Sequence, residues 1–314
     1  MTHPDHGLVR PVAPPDGARV ALVAASGPVP DGGVDRAIAR VESMGWVPVL
    51  GPAAHLRTGY LAGRDEARLK DLQAAIDSDE NDLIWLLRGG YGMMRLLPHL
   101  DLTGLRERPR PLIGFSDVTA FHLAARRQGL VTFHGPHAAT PDLPDFSLAA
   151  LRTMLEPRAA GILPFPKGGP QQGTTLVAGV AEGRLIGGNL ALIVATVGTP
   201  YQIDPAGAIL LIEDIGEAAY RVDRMLTQLL LAGCLDGAAG IALGGFTARP
   251  DLDSPGYIDS LEIVAERLGR LGIPIVADLP FGHISETWTL PEGVLARLDA
   301  SAGTLEILEP AVVA

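Results

Sequence analysis

The chain has 314 residues, 47% hydrophobic and 19% charged, which is long enough for two cores and too apolar for a disordered polymer. Its 25 basic and 36 acidic residues leave a formal net charge of −11, which argues against nucleic acid or an anionic membrane as partner, since either needs a basic face built against that balance. The single cysteine, Cys234, excludes an intrachain disulfide framework and a multi-cysteine metal site and fits a reducing compartment.

The first residues, MTHPDHGLVRPVAPPDG, carry no apolar stretch behind basic residues, so no secretory signal is read there. No later run approaches the roughly 20 apolar residues of a spanning helix, and the expectation is a soluble, cytoplasmic protein. From Arg19 to about Thr140, short aliphatic runs alternate with amphipathic stretches, the pattern of parallel βαβ units. RVALVAAS predicts a first strand, Gly33–Met44 a helix, WVPVL a second strand and Ala62–Asp77 a second helix. DLIWLLRGG then reads as a buried strand ending in glycines, RPLIGFSDVTAFHLAARRQG as strand, turn and helix in succession, and VTFHGPHAAT as a further strand end. These elements predict an open, doubly wound sheet with functional groups at the carboxyl ends of its strands.

A helix over roughly Ser147–Leu155 precedes GILPFPKGGPQQG, a Gly/Pro-rich segment that reads as a linker. Beyond it the pattern changes. TTLVAGVAEGRLIGGNL and AILLIED predict strands, Ala218–Ala232 a helix, GIALGGF a strand, Tyr257–Leu271 a helix, and ARLDASAGTLEIL a hairpin. The predicted organisation is an N-terminal α/β domain over 1–155, a linker over 156–175 and an α+β domain of mixed strands over 176–314.

Four segments carry candidate chemistry. In GFSDVTAFHLA a buried strand leads into Ser116 and a helix follows at once, which lifts a hydroxyl above the sheet beside unpaired amides; the same position suits an ordinary N-cap serine. In LLRGGYGMM, Gly89, Gly90 and Gly92 let backbone amides approach a ligand, as an oxyanion hole with the Asp117 amide, as a phosphate cradle, or simply as a tight turn. Glu213 and Asp214 close an apolar strand, where a carboxylate either orients an imidazole or caps the next helix. His283 lies in the loop PFGHISETW, but spacing alone does not select it over His122, His134 or His137. HGPH lacks the helical spacing of a metal site, so no metal is expected, and Cys234 in LLLAGCLDG reads as a small buried hydrophobe.

Taken together, VALVAASGP, LLRGGYG, LIGFSDVTAFHLA, VTFHGP, LIGGNLALIVATVGTPY, ILLIEDIGEAAYRVDRMLTQL and LPFGHISETWTLPEG resemble the LD-carboxypeptidase family (serine peptidase family S66) nearly end to end. The resemblance implies a flavodoxin-like N-terminal domain carrying the nucleophile and a smaller C-terminal domain carrying the rest of a triad. The triad would be Ser116, Glu213 and His283, with Gly89 and Asp117 as oxyanion amides and neither metal nor organic cofactor. It further implies a homodimer that cleaves the LD amide before a terminal D-alanine in cytoplasmic murein tetrapeptides. Tyr91 and Asn189, in matching blocks, are implied substrate contacts.

Glu286 and Trp288 depart from the plainer loop of many peptidoglycan-recycling members. Trp288 either stacks a planar group, as in the branch that inactivates microcin C-like peptidyl-nucleotides, or packs against the domain junction. Two further expectations compete with a serine peptidase: a non-catalytic small-ligand binding protein using RGGYG, and an amidotransferase dependent on Cys234.

Overall fold

The computed structural model describes residues 7–248 and 260–314. The chain separates into two compact units, one of residues 1–159, 289–293 and 310–314, the other of 160–288 and 294–309. The predicted C-terminal domain is therefore not continuous. Two short segments return to the first unit because they pair with it: the strand Leu290–Glu292 lies antiparallel to Thr132–His134, and Val313 bridges to Val12.

In the first unit, β1 (Arg19–Val23), β2 (Val47–Leu50), β3 (Leu83–Leu86), β4 (Leu112–Gly114) and β5 (Thr132–His134) are mutually parallel, in the order β2-β1-β3-β4-β5. This is the flavodoxin-like order, whose switch point lies between β1 and β3. The strands inside the β2 edge read as apolar runs because they are buried: Val20, Leu22, Leu83, Ile84, Trp85, Ile113 and Phe133 have no exposure. The crossovers contain α1 (Gly33–Ser43), α2 (Asp65–Asp77), the short α3 (Met93–Leu96) and α4 (Thr103–Glu107), and α5 (Thr119–Arg127); α6 (Asp145–Met154) follows β5. The second helix begins three residues later than predicted, after Arg64 in extended backbone.

Among the described residues the second unit holds an eight-stranded mixed sheet. Its strands are β6 (Gly161–Ile162), β7 (Thr174–Val177), β8 (Val180–Asn189), β9 (Ala208–Glu217), β10 (Gly240–Ala248), β11 (Ile275–Ala277), β13 (Leu295–Asp299) and β14 (Thr304–Ile307); β12 is the returning strand Leu290–Glu292. Strands β8 to β11 are parallel, and the predicted hairpin is β13–β14. The helices are α7 (Leu190–Ala195), α8 (Ala219–Leu231) and α9 (Ser260–Leu268), and the predicted start of the last at Tyr257 lies outside the described residues.

Two predictions change here. The presumed linker contains β6, which pairs with β14 and at two residues is too short to leave a periodic signal. Strand β9 runs on to Glu217, three residues beyond the predicted end at Asp214, because the acidic pair Glu213-Asp214 and then Gly216 read as a strand end although the backbone stays paired with β10.

Parallel pairing sets Asn189 opposite Glu213 and brings β8 very close to β9 at Gly187, whose φ is 139°. A Cβ there would collide with the Leu211 carbonyl. Gly187→Ala is expected to cost about 2–5 kcal/mol, from the strained φ and the backbone clash together. Urea unfolding of the purified variant measures it, and a change below about 0.5 kcal/mol would contradict the packing described.

Candidate active site

In the first unit, β4 ends at Gly114, Phe115 is extended, and Ser116, at φ 62°, opens a single 3-10 turn that runs into α5. An N-cap residue occupies the β region, so Ser116 is not the helix cap that its position in the sequence suggested; Phe115 and Val118 flank the two helical segments, and neither makes a side-chain cap. Left-handed backbone at a half-buried serine between strand and helix is the geometry of a nucleophile elbow.

The turn is braced from below. His122 on α5 is fully buried, with Nε2 2.9 Å from the Gly114 carbonyl and Nδ1 2.8 Å from the Thr132 hydroxyl. A carbonyl only accepts, so Nε2 carries the proton and Nδ1 accepts from the hydroxyl. Burial lowers the His122 pKa to about 4, which keeps the ring neutral and makes it a strut between β4, α5 and β5.

The glycine loop lies directly against the serine. A Cβ on Gly89 would fall 2.9 Å from Ser116 Cβ and 3.0 Å from its Oγ, so only glycine fits there. The Gly27 amide donates to the Gly89 carbonyl at 2.8 Å, tying the exit of β3 to that of β1 across the switch point. His137, which sequence spacing did not distinguish, also reaches this corner: its ring lies 4.6 Å from that of Phe115, and a Gly89 Cβ would stand 3.0 Å from its Cε1. No local motif signals it, because the contact depends on β5 passing beside β4. Tyr91 projects outward, 45% exposed, with Tyr60 6.0 Å away between ring centres.

In the second unit the His283 ring approaches a carboxylate. Glu213 is completely buried; its Oε2 accepts from His283 Nδ1 at 2.6 Å and from the His283 amide at 3.2 Å. That bond fixes the Nδ1–H tautomer and leaves proton transfer to Nε2. Gly282, with φ 94°, permits the approach, since a Cβ there would fall 2.6 Å from Glu213 Oε2. The loop itself is held by the Gly245 amide, which donates to the Phe281 carbonyl at 2.9 Å.

Neighbouring groups prove to be structural. Asp214 accepts from the Ile215 amide at 2.8 Å, the Asn189 side-chain amide at 3.0 Å and the Ala191 amide at 3.1 Å. Asn189 in turn caps α7 by accepting from the Leu192 amide, so its side chain serves the protein rather than an open surface. Trp288 is 1% exposed, donates from Nε1 to the Pro164 carbonyl at 2.6 Å and packs edge-on against Phe165 at 5.2 Å. It is a core residue of the second unit, and its ring is not available for stacking a ligand. Cys234 is buried, and burial raises its thiol pKa, which removes the basis for a cysteine nucleophile. Among the described residues there is no cluster of three metal-ligating side chains, and no helix is long and apolar enough to cross a membrane.

Known proteins match both units. Residues 20–135 match the LD-carboxypeptidase N-terminal domain and residues 182–298 the LD-carboxypeptidase C-terminal domain. The chain belongs to the LD-carboxypeptidase family. It is 37% identical over 303 residues to the murein tetrapeptide carboxypeptidase of Pseudomonas aeruginosa, covering 92% of this chain and 95% of that one. The crystal structure of the muramoyltetrapeptide carboxypeptidase from Oxalobacter formigenes superposes with a TM-score of 0.80 at 33% identity, over 94% of this chain and all of that one. The microcin C7 self-immunity protein MccF superposes with a TM-score of 0.88 at 23% identity, over 97% and 99% of the two chains, a likeness of fold. This LD-carboxypeptidase is thus a serine-type peptidase, which replaces both the binding-protein and the amidotransferase expectations.

Asp214 gives a pH signature. Burial, with the adjacent Glu213 charge adding to it, raises its pKa from 3.8 to about 6 against its hydrogen bonds. Between those values the folded protein retains a proton that the unfolded chain has released, so this group's contribution to stability falls as pH rises through the window. Relative to Asp214→Asn, wild-type stability is expected to drop by about 2 kcal/mol from about pH 4 to about pH 6.5, read from urea melts of both proteins. A difference constant with pH would exclude the raised value.

Proposed function

We propose that the protein is an LD-carboxypeptidase acting on murein tetrapeptides, cleaving the amide between an L-configured centre and a terminal D-alanine. What chiefly carries the proposal is Ser116 itself, held at φ 62° against Gly89, where any side chain would collide with its hydroxyl. Relatives named for murein tetrapeptide cleavage supply the substrate class.

In this mechanism His283 Nε2 takes the proton of Ser116 as Oγ attacks the carbonyl carbon, and Glu213 keeps the imidazole oriented and stabilises its cation. The Gly89 and Asp117 amides receive the oxyanion. The imidazolium then protonates the departing D-alanine nitrogen, and water, deprotonated by the same histidine, hydrolyses the acyl-enzyme. Tyr91, exposed two residues beyond Gly89, is a substrate contact in this proposal. A cytoplasmic location and a homodimeric assembly belong to the same proposal, as the family resemblance implies. The peptidyl-nucleotide alternative drew on a stacking role for Trp288, and with that ring buried the murein substrate is preferred.

Incubation with a murein tetrapeptide ending in D-alanine, and separately with a peptidyl-nucleotide, tests the assignment by product mass. Release of D-alanine from the first is expected; cleavage of the second alone would exchange the two substrate classes. Ser116→Ala is expected to lower kcat/KM at least about 10³-fold, and Glu213→Gln about 10³–10⁴-fold. Gly282→Ala, which pushes Glu213 away from the imidazole without removing any catalytic group, should lose about 10²-fold. Wild-type rates in Ser116→Ala would end the proposal.

A further inference from the structure

Three strand exits meet in the first unit: β1 at Ser26–Gly27, β3 at the Gly89–Met93 loop, and β4 at Ser116. One end of the glycine loop is fixed by the bond from the Gly27 amide to the Gly89 carbonyl. The other end is fixed by Asp117, whose Oδ2 accepts from the Met93 amide at 2.7 Å across the sheet's upper edge. Asp117 is the residue next to Ser116, so the turn that presents the nucleophile also grips the loop beside it. Behind the loop stands Arg68, fully buried, donating to the Ala25 carbonyl and to Asp65 at 2.6 Å. At Gly92, with φ 138°, a Cβ would fall 2.5 Å from the Arg68 guanidinium, so the loop is packed against this wall with no slack.

The Asp117 side chain has no exposure at all, and burial pushes its carboxyl above the usual range while the Ser26 hydroxyl and the Met93 and Gly92 amides pull it back. Helix α3, whose first amide it takes, has four residues. A buried carboxylate is a costly cap for so short a helix, and a serine or asparagine would serve the cap alone. Its placement makes sense as a strut that keeps two separate backbone segments in register.

We propose that the Asp117 carboxylate is a positioning group for catalysis, clamping the Gly89–Met93 loop to the Ser116 turn so that the amides of Gly89 and Asp117 converge on one oxyanion. The inference rests on Ser116 as nucleophile. In Asp117→Ala the loop end is released while both oxyanion amides remain in the chain, so binding of the ground state should survive and stabilisation of the tetrahedral intermediate should not.

The test measures D-alanine release from a murein tetrapeptide, affinity for the tripeptide product, and affinity for a tripeptide boronic acid that mimics the tetrahedral intermediate. Expected for Asp117→Ala are a fall in kcat of about 100-fold, KM and product affinity within about threefold of wild type, and boronic acid affinity falling in parallel with kcat. Asp117→Asn, which keeps an oxygen for the Met93 amide, should recover at least about tenfold of that kcat loss.

An unchanged kcat in Asp117→Ala, equal loss of product and boronic acid affinity, or an asparagine variant no better than alanine would overturn the clamp. Where Asp117→Ala does not fold, amide exchange in the wild-type protein decides: Met93 N–H should be strongly protected, and exchange at the rate of an exposed loop would refute it. Full turnover in Ser116→Ala would instead remove the nucleophile assignment, while Met93 protection would still report the clamp, so the two failures are distinguishable.

Discussion

Ser116 sits at φ 62°, where a residue with a Cβ loses about 1–3 kcal/mol, and a protein keeps such a residue only if its surroundings leave no alternative. Those surroundings come from three strands. Gly114 lets Val118 fold back closely under the turn, His122 ties the Gly114 carbonyl to β5, and Gly89 presses its bare Cα against the serine from β3. A neutral histidine suits this task better than a charged one, since a cation between a carbonyl and a hydroxyl in a sealed core would lack a counter-charge. The strain at Ser116 is thus supported by the parallel sheet, and the order of its strands decides which loops can reach the hydroxyl.

The second unit solves a different problem with a similar economy of means. Glu213 must be buried to exclude competing hydrogen bonds from water, and it must still meet an imidazole that lies on a loop. Parallel pairing of β8, β9 and β10 buries the carboxylate, and the glycines at 244, 245 and 282 bring the loop within reach. The His283 amide and ring both bind the same oxygen, so the side chain and its own backbone are oriented together. Loss of the glycine at 282 would separate them without changing either side chain.

Much of this was legible in the sequence. The alternation of apolar runs and amphipathic stretches from Arg19 to Thr140 is the parallel sheet, because strands buried on both faces leave an unbroken hydrophobic signature. The abrupt strand–serine–helix grammar of GFSDVTAFHLA is the elbow, although sequence alone could not separate φ 62° from an ordinary cap. What was not legible depended on partners distant in the chain. Trp288 looks like an exposed aromatic beside a catalytic loop, and only Pro164 and Phe165, more than a hundred residues earlier, show it to be core. Asn189 resembles a ligand contact until Asp214 and Leu192 are seen to occupy its amide. Leu290–Glu292 gives no sign of crossing to another sheet, because a three-residue strand has no period to read.

The buried carboxylates share one device. Asp71 accepts from the Ala53 amide, Asp117 from Met93, Asp214 from Ala191, and Glu213 from His283, each joining its own element to the backbone of a segment elsewhere in the chain. A carboxylate suits such a joint because a charge-assisted bond to a main-chain amide is stronger than one from a neutral acceptor, and the amide belongs to backbone that mutation rarely removes. Desolvation works against the arrangement, raising the carboxyl pKa of Asp71, Asp117 and Asp214. Glu213 differs in adding a bond to an imidazole, a group able to gain a proton. The orienting member of the proposed triad is therefore one of the fold's ordinary loop clamps with a titratable partner attached, and that addition is what separates it from the carboxylates that only hold the scaffold around it.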